Sequence, residues 1–180
     1  QFDTIYHEHF SYLSLYTVTR IFDSAGLRIF DVDELPTHGG SLRIYGCHKN
    51  DTRTSSERVT ALLRAEEGAG MRNLDVYGRF QQRAEQIKDS LLRFLLEQKH
   101  AGKKVAAYGA AAKGNTLLNF AGIKRDLLPF VCDAAPSKQG KYLPGSHLPI
   151  HPPAKLFEHR PHLVLILPWN IADEVIRQNA

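Results

Sequence analysis

Between Lys103 and Asp133 the chain runs Lys103-Lys104-Val105-Ala106-Ala107-Tyr108, then Gly109, then a helix-forming stretch over Thr116–Phe120, then the apolar Leu128–Cys132 ending on Asp133. An apolar run, a glycine turn, a helix and a second apolar run make a strand–helix–strand unit. Strands that are apolar throughout need cover on both faces, which implies parallel strands in an open α/β sheet. A Gly/Pro-punctuated loop, Pro136 to Pro153, follows, then the buried-type strand Leu163–Leu167 and a helix from about Ile171, with Asn170 as its candidate N-cap.

The residues ahead of this unit read differently. Ser14 to Ala25 carries Leu15, Val18, Ile21 and Phe22 on one helical face, and Gly26 supplies the stop. Leu27 to Val32 and Ser41 to Cys47 alternate as strands, separated by Pro36 and Gly39-Gly40. Thr54 with Glu57 forms a capping box ahead of Val59, Leu62 and Leu63, and Gly68-Ala69-Gly70 ends that helix. A longer helix follows, in which Tyr77, Phe80, Ala84, Ile87, Leu91 and Phe94 step by three and four toward a core or a neighbouring helix; Gly102 closes it. A coiled coil fits less well, because the repeat is short. The expected organisation is therefore 1–50, a helix with two strands; 51–102, a helical connector; and 103–180, the parallel-sheet domain.

Composition narrows the function classes. The 180 residues hold 23 Lys+Arg against 19 Asp+Glu, a net charge of +4 without any dense basic block, which argues against nucleic acid as a partner. No apolar run approaches the roughly 18 residues of a membrane span. Cys47 and Cys132 stand far apart with no secretory signal, so reduced thiols in a cytoplasm are expected. The chain opens on Gln1 without an initiator methionine and stops within a helical pattern at Ala180, so both ends read as cut from something longer.

Three clusters can carry chemistry. Tyr6-His7-Glu8-His9-Phe10-Ser11-Tyr12 gathers histidines, a carboxylate and phenols suited to proton transfer. His7 and His9 could share a metal from one strand face, but no cysteine pair or H-E-x-x-H spacing completes a site, and no metal is expected. Tyr108-Gly109-Ala110-Ala111-Ala112-Lys113-Gly114-Asn115-Thr116 lies between strand and helix, where small residues, a helix N-terminus and Lys113 favour a phosphate; a tight structural turn is the competing reading. Asp133, 24 residues after Gly109, sits where a Rossmann-like unit places a ribose-binding acid. Finally, Lys138 and Tyr142 occupy a glycine-hinged loop able to close over an anionic ligand. Trp169 is either core or a stacking surface, and His38, in Thr37-His38-Gly39-Gly40-Ser41, is either a turn residue or a site residue.

Tyr6 to Tyr12, Leu35 to Ser41, Tyr108 to Asn119, Lys138 to Pro149 and Leu165 to Asn170 together resemble the later part of the S-adenosyl-L-methionine (SAM)-dependent sugar C-methyltransferases that act on nucleotide-linked keto-deoxysugars. The resemblance implies that residues 1–50 end a SAM-binding methyltransferase domain and that 103–180 form most of a Rossmann-like nucleotide-sugar-binding domain. It implies further that the SAM-binding and zinc-binding regions lie N-terminal to this chain, which would be inactive alone. By resemblance His9 is the base that generates an enolate for methylation by SAM, with Tyr6 and Glu8 positioning the sugar and the imidazole. Gly109, Lys113, Gly114 and Asn115 would hold the nucleotide diphosphate, with Asp133, Lys138, Tyr142 and His38 as further substrate contacts. Two other classes remain open: a nucleotide or nucleotide-sugar binding module without catalysis, and a dinucleotide-dependent oxidoreductase domain, the latter disfavoured by the missing G-x-G-x-x-G.

Overall fold

The computed structural model describes residues 9–37 and 40–179. Contacts divide the chain into two units that part at Arg83/Ala84.

In the first unit, helix α1 (Leu15–Ser24) begins at Ser14, whose hydroxyl accepts the Thr17 N–H at 3.1 Å. Gly26, at φ +71°, turns the chain into strand β1 (Leu27–Leu35), which pairs antiparallel with strand β2 (Ser41–His48). Helix α2 (Glu57–Gly68) then crosses the hairpin, and Leu15, Ile29, Val32 and Val59 form the core with Val18, Phe22, Leu62 and Leu63 packed against it. Helix, strand, turn, strand is thus as the sequence implied. The capping box is not: the helix begins at Glu57, Ser56 is its cap residue, and no side chain caps it. Tertiary contacts account for this, because the Ser56 hydroxyl is 2.5 Å from Asp31 Oδ1, and the Asp31 carboxylate also holds Arg58. Those bonds hold the Asp31 carboxyl below its ordinary range, the Ser56 contact contributing most.

The expected single helix through Tyr77 is also divided. A short helix α3 (Leu74–Gly78) ends at Gly78 before helix α4 (Phe80–His100) begins. Glycine is a poor interior helix residue, so an unbroken apolar stripe does not oblige the backbone to continue through it.

In the second unit, strand β3 (Val105–Tyr108), helix α5 (Ala112–Phe120), strand β4 (Val131–Cys132), strand β5 (Ile150–His151), helix α6 (Ala154–His159), strand β6 (Leu163–Ile166), a 3₁₀ turn (Trp169–Ile171) and helix α7 (Ala172–Asn179) follow in order. The sheet is parallel throughout, in the order β5-β4-β3-β6. Alternation in β3 sorts the core: Val105 and Ala107 join Leu95 and Leu118 in one cluster, while Ala106 and Tyr108 join Phe130, Cys132 and Val175 in another. The α/β, Rossmann-like class follows directly from these parallel strands.

Three local expectations change here. The segment Pro136–Pro153 contains β5, two residues long and flanked by prolines, and α6 follows directly after it. Asn170 is not a helix cap but lies within the 3₁₀ turn. And β6 is an edge strand, with Val164 41% exposed rather than buried. Cys132 lies under α6, and burial pushes its thiol up to about 11.

Candidate functional site

Taking the parallel strands in chain order, β3 is flanked by the next strand, β4, on one side and by the last, β6, on the other, so the connections reverse direction between β3 and β6. Where that happens, the loops leaving the strands' carboxyl ends diverge and open a crevice. The two loops concerned are Gly109–Ala111, leading into α5, and Leu167–Asn170, leading toward α7.

At its base the crevice is closed by close packing. Gly109 lies at φ +91°, and a Cβ there would collide with the Pro168 ring. A Cβ on Gly114 would stand 2.6 Å from Leu167 Cβ. Both glycines therefore let α5 and its turn approach β6, whatever else they do.

The loop amides are spoken for by the fold. Gly109 N–H donates to the Cys132 carbonyl at 2.6 Å, Ala110 N–H to Asp133 Oδ2 at 2.6 Å, and Ala111 N–H to the Gly109 carbonyl at 2.9 Å. What the turn offers an anion is thus the first turn of α5, which no side chain caps and where the helix dipole is positive. Lys113 stands in that turn. Its Nζ donates to Asn170 Oδ1 at 2.5 Å and lies 5.3 Å from the Trp169 ring centroid, so β3 and β6 loops 57 residues apart meet around one ammonium. Asn115, on the same helix, has a buried Oδ1 with no hydrogen-bond partner. An orphan buried acceptor is costly, and a donor on a ligand would relieve it.

Asp133 is 7% exposed. Besides Ala110, it accepts from Ala135 N–H at 2.8 Å and from Lys138 Nζ at 3.1 Å, and Gln139 Nε2 donates to its carbonyl at 3.0 Å. Its carboxylate ties the end of β4 to the turn after β3 and holds Lys138 at that end of the sheet. Tyr142 is placed elsewhere: it is exposed and bridges to Pro149, ahead of β5, on the amino side of that strand. The structure thus brings Gly109, Lys113, Gly114, Asp133 and Lys138 to the strands' carboxyl ends and separates Tyr142 from them.

In the first unit, His9 is half-buried and meets Tyr12 edge-on, ring centroids 6.3 Å apart. Tyr6, Glu8 and His38 lie outside the described residues. Among the described residues no three His, Cys, Asp or Glu side chains converge to hold a metal, and no helix is long and apolar enough to cross a membrane.

Sequence reasoning missed two groups. Asn170, which reads as a helix cap, instead accepts from Lys113. Glu66, buried, accepts the Leu15 and Tyr16 N–H groups at 2.6 and 2.9 Å and so caps α1 just after the His9–Tyr12 segment. Separations of about 50 residues leave no local signal for either.

Fold and site together define an open α/β domain with a cationic crevice at its topological switch point. Residues 36–180 match the family model for the C-methyltransferase C-terminal domain, and the chain belongs to that family. It is 38% identical over 176 residues to the C-methyltransferase NovU of Streptomyces niveus; the match takes in 98% of this chain and 42% of that protein.

Proposed function

We propose that this chain is the substrate-binding portion of a SAM-dependent C-methyltransferase that methylates a nucleotide-linked keto-deoxysugar. Family membership supports the reaction class. The observation that carries the substrate reading is Lys113, held by Asn170 and Trp169 over the uncapped start of α5 at the switch-point crevice. In this reading Lys113, Gly114 and Asn115 receive the diphosphate, and Gly109 keeps their turn close to Pro168. Asp133 presents Lys138 to the same ligand.

His9 is the base. A hydrogen beside a sugar ketone is too weakly acidic to leave unaided, so a base must take it while donors hold the enolate charge. Tyr6 and Glu8 place the sugar and orient the imidazole. SAM, when bound, supplies the electrophilic methyl group. The described residues before Arg83 form helices and an antiparallel hairpin with no strand–glycine–helix turn, so they do not fit a SAM site and none is assigned to it. Free thiols at Cys47 and Cys132 accord with a reducing, cytoplasmic setting.

The test uses a protein that joins a SAM-binding region to this chain. Exchange of the substrate's α-hydrogen for solvent deuterium, read by mass spectrometry, isolates the base step. His9→Ala abolishes exchange and methyl transfer while nucleotide affinity is kept; exchange at the original rate refutes His9 as the base. Tight nucleotide binding with neither exchange nor transfer in the unsubstituted protein would make the chain a binding module instead.

A further inference from the structure

On the sheet face away from α5, helices α6 and α7 leave a groove of about 530 Å³ beside β6. Leu156 and Phe157 of α6, Val164 and Ile166 of β6, and Val175 and Ile176 of α7 line it. Its size falls among those of small-molecule pockets, about 300–1,000 Å³. Phe157 is 66% exposed and Ile176 54%, so the walls offer apolar surface that the described residues do not cover. The groove shares no lining residue with the Lys113 crevice, and α5 packs on the other face of the sheet through Leu118.

Two polar groups interrupt this apolar lining, and the fold uses neither. Tyr108, on β3 beside Ile166, is only 6% exposed, yet its hydroxyl has no hydrogen-bond partner among the described residues. A buried phenol normally finds one. Arg160 is the one charged residue on the lining, and no described carboxylate pairs with it. It occupies the C-cap of α6 at φ +48°, a left-handed position that favours glycine, so the cap geometry gives no reason for an arginine. A free hydroxyl donor and an unpaired guanidinium on one apolar groove are complementary to a molecule with an apolar body and a carboxylate at one end.

We propose that this groove binds a small molecule of that class, its apolar body against Phe157, Val164 and Ile176 and its carboxylate received by Arg160 and Tyr108. Isothermal titration of the full chain with 2-naphthoate then shows one saturable site. The neutral 2-naphthamide binds about ten-fold more weakly, as for the loss of one charge-assisted contact. Arg160→Gly keeps the left-handed cap but removes the charge, so it erases that preference, whereas Arg160→Lys retains it. Tyr108→Phe removes only an unpartnered hydroxyl, so it weakens 2-naphthoate about ten-fold and leaves the thermal midpoint unchanged. Uridine diphosphate in excess does not displace 2-naphthoate. Absence of saturable binding, equal affinity for acid and amide, a preference that survives Arg160→Gly, or affinity unchanged by Tyr108→Phe overturns the proposal. So does displacement by uridine diphosphate, or a dimer in light scattering that takes up no probe, which would give the groove to a second copy.

Discussion

Replacing Gly109 with alanine tests the base of the crevice, and Gly122 is its internal control. Both glycines lie in the second unit at positive φ, +91° and +67°. An alanine at either pays for a left-handed backbone, about 1–2 kcal/mol. They differ in space: nothing lies within 4 Å of a Cβ on Gly122, whereas a Cβ on Gly109 meets Pro168, with Cγ at 2.6 Å. Pro168 is itself buried at the end of β6 and cannot swing aside, so overpacking adds about 1–3 kcal/mol at Gly109 only. Gly122→Ala should therefore cost about 1–2 kcal/mol and Gly109→Ala about 2–5 kcal/mol. With a urea slope of about 2 kcal/mol/M, the unfolding midpoint falls by about 0.5–1 M in the first case and about 1–2.5 M in the second. Equal shifts in urea titrations followed by circular dichroism would refute the close approach of the two loops.

Other consequences are independent of that one. Cys132, pushed up to about 11 from an ordinary 9.0, binds its proton more tightly folded than unfolded, so the stability it contributes is complete below pH 9 and is lost as pH rises toward 11. Cys132→Ala should flatten that part of the stability–pH curve, and in the parent the thiol should stay unreactive to a disulfide reagent at pH 8 until the chain unfolds. Glu66→Ala strands the Leu15 and Tyr16 amides and should destabilise the first unit by about 1–3 kcal/mol in denaturant titrations, with a loss of helical signal. Asp133→Ala removes the acceptor for Ala110, Ala135 and Lys138, and should lower the thermal midpoint more than Lys138→Ala, which removes only an ion pair.

Much of this arrangement was legible in the sequence wherever the determinant was local. Ser14, Gly26 and the alternation after it specify α1 and the hairpin; Val105–Tyr108 followed by glycine specifies the central strand. The residues that escaped are those whose state is decided by distant partners. Ile150-His151 is too short to show a period and becomes a strand only because Val131-Cys132 lies beside it. Ser56 displaces the Thr54 capping box because Asp31 takes its hydroxyl. The stripe from Tyr77 to Phe94 reads as facing a core or a neighbouring helix, because periodicity reports amphipathicity without saying which surface answers it. In the candidate site, Lys113 was readable from the glycine-rich turn, but Asn170 and Trp169, its neighbours in space, arrive from the far end of the sheet.

The central claim, that the switch-point crevice receives a nucleotide diphosphate through Lys113, is tested most directly by isothermal titration of the chain with nucleoside diphosphates and with NAD. The account predicts saturable binding of a nucleoside diphosphate, weakened about 10–100-fold by Lys113→Ala, as expected for the loss of a charge-assisted contact of about 1.5–3 kcal/mol. Binding of NAD alone, no binding of any diphosphate, or an affinity unchanged by Lys113→Ala would contradict it.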